Sequence, residues 1–142
     1  MAAIDPGYLL DTNILLHAIR GSSTWQDFKA AYDPLMIEPR PTYSVVAEGE
    51  IRSIAEQRKW NRVRREQMEF LLGYVRRLDI SDADILQSYA AIDSFSLLAG
   101  VRMWKNDIWI AATANVTGSV LLTTDRDVEH LHGRFLTRDL IR

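Results

Sequence analysis

Gly7-Tyr8-Leu9-Leu10-Asp11-Thr12-Asn13, followed at helical spacing by Ile14, Leu15, Ala18 and Ile19 and halted at Gly21, reads as a buried strand running into a capped helix. An apolar run with no polar alternation is expected where both faces of a sheet are covered. The same pattern recurs downstream. Thr42-Tyr43-Ser44-Val45 is a second candidate strand, with Val46 to Gln57 helical behind it and Ile51, with Ile54 or Ala55, facing inward. Ser119 to Thr123 is the clearest strand, Leu78-Asp79-Ile80 is a short one, and Arg134 to Thr137 is a last one at an edge.

The intervening segments read mainly as helices. Trp25, Phe28, Ala31 and Tyr32 suit a short helix, and Pro34, Pro39 and Pro41 mark a loop. Trp60, Val63, Met68, Leu71, Leu72, Val75 and Leu78 form one apolar stripe on a long helix. Ile85, Leu86, Tyr89, Ile92 and Leu97 or Leu98 form another, opened by a capping box at Ser81-Asp82-Ala83-Asp84 and closed by Gly100. Asn106-Asp107 is expected to cap a helix that runs through Val116 to Gly118, and Val128-Glu129-His130-Leu131 to form a single turn. Strands alternating with helices predict an α/β fold, with a central, mostly parallel sheet of four to five strands covered by helices on both faces.

In such a sheet, Asp11 and Asp125 end strands, Asp107 opens a helix and Glu50 lies in the helix after the second strand. Ligands of open α/β sheets bind at the edge where those ends meet. Gathered carboxylates need a counter-cation, and hard oxygen donors suit Mg²⁺ or Mn²⁺. With no cysteine, thiolate zinc and iron–sulfur sites are excluded, and His17, His130 and His132 lack the spacing of a zinc motif. The spacing therefore points to a metal-dependent phosphodiesterase. Each acid has a simpler role open to it: Asp11 and Asp107 as helix caps, Asp125 as a turn residue, Glu50 as a solvent-facing side chain. Glu48 competes with Glu50 for the inward direction.

Composition limits the partners. At 142 residues the chain suits one domain, 1–142, and 47% apolar with 25% charged residues is ordinary for a soluble globule. No signal peptide or membrane-spanning run is visible, so a cytoplasmic location is expected. The net charge of −2 hides an uneven distribution. From Ile51 to Leu78, Arg52, Arg58, Lys59, Arg62, Arg64, Arg65, Arg76 and Arg77 outweigh Glu56, Glu66 and Glu69 to give +5, leaving −7 elsewhere. A basic segment beside an acidic cluster suits phosphate guided to a metal, and a solvated helix face with Arg/Glu pairs is the plain alternative.

The layout resembles the PIN domain family of ribonucleases, and its VapC-type toxin branch above all. Leu9-Leu10-Asp11-Thr12-Asn13 is similar to the family's opening strand and first aspartate, and Ser44 with Glu50-Ile51-Arg52 to its Ser…Ala-Glu-Leu-Arg helix. Asn106-Asp107-Ile108-Trp109-Ile110-Ala111-Ala112-Thr113-Ala114 resembles the Asp-x-x-Ile-Ala-Ala-x-Ala helix, and Leu122-Thr123-Thr124-Asp125-Arg126-Asp127 the closing Val-Thr-x-Asp-x-Asp-Phe. The resemblance implies that Asp11, Glu50, Asp107 and Asp125 hold Mg²⁺ or Mn²⁺, supported by Asn13 and Thr123, with Asp127 shaping a turn or assisting a second ion. It implies an endoribonuclease leaving 5′-phosphate and 3′-hydroxyl ends, an RNA substrate, an antitoxin protein partner and a homodimer. Val128 departs from the usual aromatic, and Trp104-Lys105 stands where small or apolar residues are usual. Trp25, Trp60, Trp104 and Trp109 are candidates to stack on unpaired bases, although Trp60 and Trp109 fall in apolar stripes. Rival readings are an inert PIN-like module that binds RNA or protein, a haloacid dehalogenase-type phosphatase, which wants an acid where Asn13 stands, and a receiver domain, whose strand-end lysine is missing.

Overall fold

A computed structural model describes residues 7–32 and 38–141. The expected leaderless start over residues 1–6, and Pro34 of the expected loop, lie outside the described residues. The elements run β1 (Tyr8–Leu10), α1 (Thr12–Arg20), α2 (Ser23–Tyr32), β2 (Thr42–Ser44), α3 (Val45–Gln57), α4 (Arg62–Tyr74), β3 (Arg76–Leu78), α5 (Ala83–Leu98), α6 (Lys105–Thr117), β4 (Val120–Thr123), a 3₁₀ turn (Glu129–Leu131) and β5 (Thr137–Leu140). The five strands form one sheet in the order β3-β2-β1-β4-β5, every pair parallel. Right-handed crossovers then put α1 to α4 on one face and α5 and α6 on the other. This is the expected three-layer α/β arrangement.

Strand order reverses between β1 and β4, so the chain leaves their carboxyl ends in opposite directions and opens a crevice there. Leu10 pairs with Leu122, and the Asp11 N–H donates to the Leu122 carbonyl at 3.0 Å, which brings the two strand ends level. Leu9, Leu10, Leu121 and Leu122 are buried on both faces, as their unbroken apolar runs require. Among the described residues no helix is long and apolar enough to cross a membrane.

Four local expectations are corrected. The strand placed at Leu78-Asp79-Ile80 lies at Arg76–Leu78, an exposed edge where two arginines do not offend the core. The strand placed at Arg134 to Thr137 lies at Thr137–Leu140, beyond the turn closed by Gly133. The capping box does not open at Ser81: Asp82 is the N-cap and accepts from the Asp84 N–H at 2.7 Å. The stripes also shift. Helix α4 begins after Trp60 and ends before Leu78, and its Val63 faces solvent. In α5 the buried face is Ile85, Ser88, Ile92 and Ser96, so Leu86, Leu97 and Leu98 point outward, Leu98 with 87% of its surface exposed. Small residues face α6, whose buried Ala111, Ala112 and Ala114 let the two helices approach closely.

Candidate metal centre

The carboxylates are assembled by strand ends and first helical turns. Asp11 is the N-cap of α1 and 9% exposed, its Oδ1 accepting from the Thr12 N–H at 2.7 Å. Its Oδ2 accepts from the Thr123 hydroxyl at 2.7 Å. That hydroxyl in turn accepts from the Asp125 N–H at 2.9 Å, so one buried threonine ties the end of β1 to the turn after β4. Asp125 Oδ1 accepts from the Asp127 N–H at 3.0 Å, curling the loop so that Asp127 comes back over the crevice. Asp11 and Asp125 thus shape their own turns and still line the crevice. A carboxylate has about four acceptor sites, and Asp11 uses two.

Asp107 lies in the first turn of α6. The cap of that helix is Trp104, which supplies no side-chain hydrogen bond, so Asn106-Asp107 is not the expected cap and Asp107 is left facing the crevice. Glu50 and Glu48 separate cleanly. Glu50 Oε1 accepts from the Thr12 hydroxyl at 2.8 Å, which draws it to the Asp11 side. Glu48 points away, ion-paired to Arg52 at 3.0 Å and Arg77 at 3.2 Å.

Acidic oxygens of Asp107, Asp125 and Asp127 lie within 4.8 Å of one another. Asp11 joins these three in lining a small cavity, and Glu50 and Asp107 border an adjoining cleft of about 700 Å³. The tight trio therefore includes Asp127, and Asp11 and Glu50 stand around it. Among the described residues no ion pair engages any of these five acids. Burial, then the charges of Asp11, Asp125, Glu50 and Asp127, push the Asp107 carboxyl up to about 7. The dipole of α6 acts the other way but is worth roughly 0.3–1 kcal/mol, under one pH unit, so desolvation and like charge win. Burial likewise raises Asp11 against the two hydrogen bonds that lower it.

The donor set fits a hard divalent cation. It is all oxygen, among the described residues none of it is ion-paired, and its 4.8 Å spread matches the ~3–4 Å separations of ligands around an ion bonded at about 2.1 Å, with slight closure. Among the supporting residues, Thr123 is central. Asn13 is exposed on the first turn of α1, outside the hydrogen bonds that hold the acids. Thr12, which positions Glu50, was missed by the sequence reading. Its signal was adjacency to the strand-ending Asp11, where a hydroxyl in the first turn of a helix can reach a neighbouring helix. Half of the basic segment is absorbed elsewhere: Arg52 holds Glu48 and Glu69, Arg62 holds Glu66, Arg65 holds Glu56 and Arg77 holds Glu48.

Fold and crevice together define an α/β domain with an acidic cleft at the carboxyl ends of its central strands, and the PIN domain family model matches residues 8–133. The chain belongs to the PIN domain family. Its structure is similar to VapBC2 from Rickettsia felis, solved bound to a DNA fragment from their promoter, with TM-score 0.80 and 18% identity over 95% of this chain and 98% of that one. It is similar also to DNA-bound VapBC from Salmonella typhimurium (TM-score 0.74, 18% identity, 96% and 98% covered). A third likeness is to VapBC-5 from Mycobacterium tuberculosis, a toxin-antitoxin system (TM-score 0.67, 23% identity, 96% and 98% covered). No curated protein matches the chain in sequence.

Proposed function

We propose that the chain, as a single PIN domain over residues 1–142, is a Mg²⁺- or Mn²⁺-dependent endoribonuclease and the toxin of a toxin–antitoxin pair. Asp11, Glu50, Asp107 and Asp125 hold the metal, with Asp127 beside them. The observation that carries this is a crevice of five acids, none of them ion-paired among the described residues, whose Asp107 is pushed up to about 7. Such repulsion costs a fold stability, and carboxylates perturbed in this way cluster at functional sites.

When bound, a divalent ion supplies an acidified water and offsets the charge that grows on phosphate and leaving oxygen. The chain's part is to present oxygens at fixed positions. Thr123 and the Thr12 N–H orient Asp11, the Thr12 hydroxyl orients Glu50, and the Asp125–Asp127 turn sets the third side. With water as the nucleophile at phosphorus and the 3′-oxygen as the leaving group, neither a side chain nor the 2′-hydroxyl attacks, and the ends are 5′-phosphate and 3′-hydroxyl. An antitoxin protein partner and a homodimer are proposed from the likeness to VapBC complexes, and a cytoplasmic setting follows from the RNA substrate.

Calorimetric titration of Mn²⁺ into wild type and an Asp125→Asn variant tests the site, with saturable binding expected for wild type and a loss of at least tenfold in the variant. Mapping the ends of cleaved RNA tests the reaction. Equal Mn²⁺ binding in both proteins overturns the site, and 2′,3′-cyclic ends overturn the hydrolytic route.

A further inference from the structure

Of the four tryptophans, three are engaged in the fold. Trp25 is buried and its ring lies 5.5 Å from Phe28, Trp60 is half-buried beneath the Arg64 guanidinium at 5.8 Å, and Trp109 packs on Tyr89 at 4.1 Å. Trp104 is different. It is 76% exposed, and it occupies the N-cap of α6, where Ser, Thr, Asp or Asn would have supplied a capping hydrogen bond that it cannot. An indole there gives the isolated chain neither packing nor a cap. Its surroundings indicate what covers it. Trp104 lines the cleft of about 700 Å³ shared with Glu50 and Asp107, flanked in sequence by Arg102 and Lys105, which line it too. Among the described residues neither cation joins an ion pair. Asn106, beside them, offers both a donor and an acceptor.

We propose that Trp104, with Arg102 and Lys105 at its sides, forms a subsite for an unpaired nucleotide next to the phosphate that meets the acidic crevice. The inference rests on the nuclease reading and adds the residues that hold one base of its substrate. Stacking on an indole needs an open base face, which a continuous duplex does not present and a loop or single strand does. Two cations beside the ring suit the phosphates on either side of the stacked base, and they offset part of the repulsion that six nearby carboxylates, Asp93 of the same cleft among them, exert on any polyanion. Trp104 lies three residues before Asp107, so base platform and metal-facing carboxylate share the first turn of one helix and are fixed relative to each other.

The test uses a fluorescein-labelled single-stranded decanucleotide RNA and a duplex of the same sequence. Binding is read by anisotropy with Ca²⁺ present, and cleavage is read separately with Mn²⁺. Trp104→Ala is expected to weaken single-strand binding about tenfold and duplex binding less than twofold, with the cleavage loss chiefly in KM. Trp104→Phe should recover most of the affinity, and the Mn²⁺ titration curve should not move in either variant. Unchanged single-strand binding in Trp104→Ala overturns the subsite, as does an equal loss for duplex. A lowered sedimentation mass in Trp104→Ala with RNA binding intact also overturns it, assigning the indole to a contact between copies. Wild type that binds the single strand through Trp104 but cuts nothing sinks the nuclease reading and keeps the subsite.

Discussion

Replacing Asp107 by asparagine should stabilise the ion-free protein at neutral pH, although it removes a charge from the candidate metal centre. In the folded chain this carboxyl titrates at about 7, against 3.8 for the ordinary group. Between those values the folded state holds a proton that the unfolded state has released, so stability is full at the low end and falls as pH rises. Three pH units at about 1.36 kcal/mol each set a ceiling of ~4 kcal/mol, and a half-buried carboxylate in an open cleft brings that to ~2 kcal/mol. For a domain of this size ~1 kcal/mol moves Tm by about 3 °C, and roughly two of the three pH units lie above pH 5, so wild type in EDTA should lose about 4 °C between pH 5 and pH 8. The asparagine variant, with nothing to titrate there, should keep the full ~2 kcal/mol and lie about 6 °C above wild type at pH 8. Adding Mn²⁺ at about a hundred times its Kd should raise wild type by ~2.7 kcal/mol and the variant far less, reversing the order. Differential scanning calorimetry over this range reads both effects. A wild type that grows more stable from pH 5 to pH 8 in EDTA, or a variant that melts below it at pH 8, refutes the reasoning.

Thr123→Val strands Asp11 Oδ2 and the Asp125 N–H at once, and should cost ~2–3 kcal/mol in chemical unfolding and about tenfold in Mn²⁺ affinity by calorimetry. Glu48 and Glu50 should divide their effects: Glu48→Gln loosens the Arg52 and Arg77 pairs for under ~1 kcal/mol with Mn²⁺ binding intact, whereas Glu50→Gln weakens Mn²⁺ with little change in unfolding. Tyr43→Phe deletes a buried hydroxyl that donates to the Leu72 carbonyl at 2.9 Å, and should cost ~1–2 kcal/mol in urea unfolding without altering Mn²⁺ titration.

The central strands and their helices were legible because their sequence is locally consistent: unbroken apolar runs, an Asp or Ser cap, then helical spacing. Asp11, Asp107 and Asp125 could be placed at one edge from topology alone, since strand order determines which ends meet. Three things could not be read. The edge strands β3 and β5 carry arginine, threonine and aspartate in place of an apolar run, so their pairing rests on neighbours far along the chain. The inward face of α5 uses Ser88 and Ser96, because close approach of α6 rewards small volume over hydrophobicity, and a hydrophobic count selects Leu86 and Leu97. The choice between Glu48 and Glu50 turned on Thr12 and Arg77, one from α1 and one from β3. Asp127 read as a turn residue and is one, yet the turn itself delivers it to Asp107 and Asp125.

The threonine hydroxyl that joins two strand ends also sets when the acidic crevice is completed. It spans 112 positions of sequence. A nascent polypeptide that has emerged only as far as α6 carries Asp11, Glu50 and Asp107 but neither the β4 that aligns them nor Asp125 and Asp127. The crevice is therefore completed in one event, when β4 pairs with β1, and under the proposed nuclease reading a chain short of β4 cannot cut.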